Sequence, residues 1–163
     1  MIYIIDMNII NNNIDWNYLK YDIVNCAKDQ IKKSKEYNRQ ILELEINEKN
    51  FGKFLNLLSD DITSFTTLHS ICNFMQAVSD DIEDRKKCNI ADLMLSKYIN
   101  ELNLNKLLYN KINKFYNESK SKLNTEDNFF LDFIIKSYHR NGINLNENNI
   151  NLLLKVKNEI TNY

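Results

Sequence analysis

From Asp15 onward the apolar residues Trp16, Leu19, Ile23, Cys26, Ala27 and Ile31 recur in steps of three and four. A rod with 3.6 residues per turn gathers them on one side, so the pattern predicts an amphipathic helix from Asp15, as its cap, to about Tyr37. Ile41 to Ile46 then alternates apolar and acidic residues, which fits a short extended connector. Asn47 offers the next cap. Behind it Phe51, Phe54, Leu55, Leu58, Ile62, Phe65, Leu68, Cys72 and Met75 form one long stripe, predicting a helix to about Val78.

Ser79 to Asp84 is rich in acid and is followed at once by Arg85, Lys86 and Lys87, the order that a helix dipole favours. Asp81 with Arg85 and Glu83 with Lys87 have i,i+4 spacing. This helix is predicted to continue through Ile90, Leu93, Met94, Tyr98 and Leu102, and after a break at Asn103 to Asn105 through Leu108, Ile112 and Phe115. Thr125 can cap a further helix whose apolar face holds Phe130, Phe133, Ile134 and Tyr138. The last helix is expected from about Asn146 to Ile160, with Ile150, Leu153, Leu154, Val156 and Ile160 inward. Residues 2 to 10 suit a short strand or an arm packed on the body.

The junction His139-Arg140-Asn141-Gly142 separates the last two stripes. Glycine just past a helix end takes the left-handed conformation that closes off the final carbonyls, while His139 and Arg140 complement the negative end of the dipole. Ile143 is placed to fold back on Tyr138. The expectation is an all-α fold: one domain over residues 1–163, an elongated bundle of about five helices ending in an antiparallel helix hairpin.

Composition agrees with helices. The chain has no proline and two glycines, too few for many tight β-turns. Its 163 residues suit a single core. Charge is balanced: residues 1–79 hold 8 basic and 10 acidic side chains, leaving 13 and 12 of the totals of 21 and 22. Neither half has the basic footprint of a nucleic-acid binder. The apolar start is too short to span a bilayer and lacks a basic leader, so no membrane partner is expected. Cys26, Cys72 and Cys88 form no framework; they suit a reducing, intracellular and cytoplasmic setting as small buried hydrophobes.

Candidate chemistry is sparse. His69 and His139 are the two histidines, and neither precedes Glu in the spacing that a zinc peptidase needs. His69 with Cys72 lacks an orienting third group, so a packed histidine is the simpler reading. Asp60-Asp61 and Asp80-Asp81 are sequence neighbours and diverge on a helix. The Asp80 to Asp84 run lacks the alternating ligands and the glycine of a calcium loop. No catalytic or metal residue is expected.

Phe130 to Ile160, FLDFIIKSYHRNGINLNENNINLLLKVKNEI, resembles a helix hairpin in the N-terminal part of zinc oligopeptidases of the thimet oligopeptidase and neurolysin type. Arg140, Asn141, Gly142 and Leu145 carry the likeness most specifically, with Leu131, Lys136, Glu147, Lys155, Lys157 and Ile160 around them. The resemblance implies a helical segment that walls the peptide channel of the complete enzymes, and it names those four residues as a structural motif. The complete enzymes use zinc; the His-Glu-x-x-His helix that binds it is not in this sequence, so no cofactor is expected here. A truncated or N-terminal portion of such a metallo-oligopeptidase, inactive on its own, is the implied function. Its partners would be a peptide, a catalytic domain or another protein. A stand-alone helical protein–protein interaction module is the alternative.

Overall fold

Asp22 makes the first observed cap: its carboxylate accepts from the backbone N–H groups of Val24 and Asn25 at 3.1 and 3.2 Å. Helix α1 therefore runs Ile23–Glu43. The computed structural model describes residues 22–162, so Asp15, Trp16, Leu19 and the apolar start at residues 2–10 lie outside the described residues. Within them the chain is all-helical, with six α-helices where about five were expected.

The expected connector at Ile41 to Ile46 is corrected in its first half, because α1 continues to Glu43. Ile41 is fully buried and continues the helical stripe of Ala27, Ser34 and Asn38, so burial decides between two periods that six residues cannot separate. Arg39 bridges Glu36 and Glu43, each at 2.6 Å, but these exposed pairs add little. Asn47 caps a single 3-10 turn, Glu48–Asn50, by accepting from the Asn50 N–H, and α2 follows as Phe51–Val78. At 28 residues, α2 is about 42 Å long.

Asp81 caps α3, Ile82–Leu102, through the N–H groups of Glu83 and Asp84. The expected i,i+4 ion pairs are replaced. Arg85 donates instead to the carbonyl of Ser79 beyond the end of α2, and Glu83 pairs with Lys86 at 2.8 Å. The register of α3 is also corrected: Cys88, Ala91, Leu95 and Tyr98 are buried, while Ile90 is 49% exposed. Cys88 and Ala91 are small, which lets α3 approach its neighbours closely. The break falls as predicted, with Asn105 capping α4, Lys106–Ser119. Helix α5, Thr125–Arg140, is capped by Asn124, one residue before the expected Thr125. Asn146 caps α6, Glu147–Thr161.

The helices form two apolar clusters. One joins Ile23 and Ala27 of α1 with Phe65, Leu68 and Cys72 of α2 and Cys88, Ala91, Leu95 and Tyr98 of α3. The other joins Ile41, Phe54 and Leu58 to Leu108, Ile112 and Phe115 of α4 and to Leu131, Ile134 and Tyr138 of α5. Helices α1 and α2 are long enough to serve both. Helix α5 packs chiefly on α4, and α6 chiefly on α3. The two helices around Gly142 thus take different principal partners.

Candidate functional site

The turn singled out by sequence is built as its chemistry requires. The Ile143 N–H donates to the carbonyl of Tyr138, and the Gly142 N–H to that of His139, both at 3.1 Å, which closes α5 in a double-bonded cap. Gly142 has φ +97°, and among the described residues no non-glycine has a positive φ. Ile143 and Tyr138 are both buried in one apolar cluster. Asn141 donates to the Ser137 carbonyl at 2.9 Å and accepts from Lys157 of α6 at 2.7 Å. Burial lowers the pKa of that lysine from its ordinary value.

Arg140 is exposed, and Leu145, 38% exposed, accepts through its carbonyl from Lys106 at 3.0 Å. The four residues Arg140, Asn141, Gly142 and Leu145 shape a turn and do not converge on a common space. Gly142→Ala is expected to cost about 1–2 kcal/mol, from the left-handed backbone. A Cβ there would also meet Leu153 Cδ2 at 2.8 Å, the flexible end of a side chain that can yield. Thermal melts check this, and Gly142→Asn should lose less, since Asn visits that conformation more readily.

His69 points from α2 to α3, away from the role that Cys72 would need. Its Nε2 hydrogen-bonds Ser96 Oγ at 3.0 Å and also lies 3.1 Å from Asp92 Oδ1. Ser, His and Asp together suggest a nucleophilic triad, but such a relay divides its two partners between the two ring nitrogens. Here both crowd the same nitrogen. Cys72 is fully buried, and desolvation pushes its thiol up to about 12, far from a reactive thiolate. His139 is exposed, with Nε2 2.8 Å from the Tyr109 hydroxyl. Among the described residues no three metal-binding side chains converge, and no helix is long and apolar enough to cross a membrane.

Two features escape the sequence reading. The first is a buried polar layer. Asp61 is 6% exposed and accepts from Ser34 Oγ at 3.1 Å, while Asp60 faces solvent. Tyr98 donates to Ser34 at 3.2 Å, and Asn38 donates to Tyr98 at 3.3 Å. The signal was present: Phe54, Leu58, Asp61, Phe65 and Leu68 keep one helical stripe, and so do Ala27, Ser34, Asn38 and Ile41. Ile62, assigned to the first stripe, is instead 36% exposed.

The second is the outer face of α6. Ile150 is buried on the side held to α3, where Asn100 donates to Asn158 at 3.1 Å and to Thr161 at 3.3 Å. Val156 and Ile160, expected inward, are 41% and 67% exposed, and Leu152 is 61% exposed. These three share i,i+4 spacing, which aligns them along one side of the helix. No protein-family model matches the chain.

Proposed function

We propose that the chain is a helical docking module, which binds another protein body through the outer face of α6 and performs no hydrolysis itself. The observation carrying this reading is the row Leu152, Val156 and Ile160, exposed on a helix whose opposite side is already seated on α3. Scattered surface aliphatics are ordinary, but an i,i+4 row is the form in which one helix enters the groove of a partner.

The same row lies within Phe130 to Ile160, the segment that resembles the channel-wall helices of thimet-type oligopeptidases. That resemblance supports a peptidase catalytic body as the partner, with this chain as a helical wall and zinc supplied by the partner. The convergence of Ser96 and Asp92 on one nitrogen of His69 supports the non-catalytic half of the reading.

A variant carrying Leu152→Glu, Val156→Glu and Ile160→Glu tests the docking face. Wild type in native extract should elute in a larger complex, and the variant alone, with unchanged helical circular dichroism. Equal elution of the two would refute the face. Purified chain incubated with zinc and a quenched fluorescent peptide should give no turnover. Zinc-dependent cleavage that disappears in His69→Ala and His139→Ala would refute the rest.

A further inference from the structure

Asp61 sits where the two apolar clusters meet. Along α2 its neighbours in the stripe are Leu58, of the cluster with α4 and α5, and Phe65, of the cluster with α3. Ser34 and Asn38 occupy the matching place on α1, between Ala27 and Ile41, and Tyr98 brings the end of α3 to them. We propose that Asp61 is a proton-binding site through which pH sets how tightly the two clusters are held together.

Hydrogen-bond supply carries the argument. With Asp61 ionised, Ser34 Oγ spends its one proton on Oδ2 and accepts from Tyr98 and, at 3.5 Å, from Asn38. Among the described residues, Oδ1 is enclosed and has no hydrogen-bond partner. An ionised carboxylate is acceptor-only, so one whole oxygen lacks a donor from the described residues in a place closed to bulk solvent. The surrounding charges do not compensate. From α1, Lys33 favours the ionised form, and Lys35 lies 5.7 Å from the Tyr98 ring centre. From α3 the facing group is the Tyr98 phenol, itself influenced by Glu101, and from α5 it is the Tyr138 phenol. Burial outweighs the Ser34 bond and Lys33, and pushes the carboxyl up to about 6.

The protonated layer has a consistent arrangement. One proton, taken from solvent, sits on Oδ2 and is donated to Ser34 Oγ. The Ser34 hydroxyl then turns to the Tyr98 oxygen, and the Tyr98 hydroxyl to the amide oxygen of Asn38 after that amide rotates. The chain of bonds reverses direction with no covalent bond broken and no helix displaced. Oδ1 becomes the carbonyl of a neutral acid, whose desolvation is far cheaper than that of an anion.

The folded state therefore holds the proton more tightly than the unfolded chain, whose carboxyl titrates near the ordinary 3.8. Stability is fully present below that value and falls as pH rises through about 6. Asp61→Asn, neutral and of the same shape, is the comparison. Between pH 4 and 8 the folded-to-unfolded ratio of wild type should fall about a hundred-fold more than that of the variant. Amide protection at residues 58–65, corrected for intrinsic exchange, should drop over the same range in wild type alone. Carbon NMR of the native Asp61 carboxyl decides the matter if the variant does not fold: a midpoint near 6 supports the site. Parallel pH profiles, or a native midpoint near 4, would overturn it.

Discussion

Phe115→Ala is expected to lower folding stability by about 3–5 kcal/mol. Phe115 is 1% exposed at the centre of the α4–α5 cluster. Its ring stacks on Phe54 with centroids 3.9 Å apart and meets Phe51 edge-on at 5.2 Å. Truncation removes the apolar area of a large ring and also strips contact from two rings on another helix. The long helices that line the space cannot collapse to fill it, because α1 and α2 are fixed by the second cluster at their far ends. Urea unfolding checks this, with the midpoint shifted and the slope unchanged if the native state stays compact.

Leu95→Ala should cost about 2–5 kcal/mol. Leu95 is fully buried among α1, α2 and α3, in the cluster of Ile23, Phe65, Leu68 and Tyr98. Ile90→Ala is the control for the register of the same helix. At 49% exposure it should lose within about 0.5 kcal/mol. Equal losses at the two positions would mean that α3 is rotated from the observed register. Leu95→Ala and Phe115→Ala lie in different clusters, so their effects should add to within about 0.5 kcal/mol. A larger departure would measure coupling through the Asp61 layer between them.

Much of this architecture was legible because it is local. The stripe from Phe51 to Met75, the break at Asn103 to Asn105 and the cap at Asn146 follow from spacing and from side chains that compete for backbone N–H groups. Gly142 was legible for the same reason, since a φ of +97° singles out glycine. What escaped depends on partners distant in sequence. Ile41 remains helical because it is buried in the cluster that holds Phe54 and Phe115, and nothing near Ile41 in the chain states that. Cys88 and Ala91, weaker apolar signals than Ile90, face inward because close approach of three helices requires small side chains there. The bonds from Asn100 to Asn158 and Thr161, which seat α6 on α3, also join residues far apart in the chain.

The candidate sites divide in the same way. Arg140, Asn141, Gly142 and Leu145 lie at the turn after α5, where Gly142 and Asn141 make capping hydrogen bonds. Asp61 is hidden from any pattern that follows apolar identity alone. A carboxylate at a core position of an otherwise regular 4-3-4-3 spacing is itself the signal. Val156 and Ile160, expected inward, are exposed because they belong to an apolar arc wider than α3 alone can cover.

Site-specific photo-cross-linking tests the proposed docking function most directly. A photoreactive side chain at position 156, on the outer face of α6, is compared with the same group at position 118, on the exposed surface of α4. Adducts are identified by mass spectrometry from the cells in which the chain naturally occurs. Labelling of a zinc-peptidase catalytic body from position 156 and not from 118 is the predicted result. Equal labelling from both positions, or none from 156, would contradict the account.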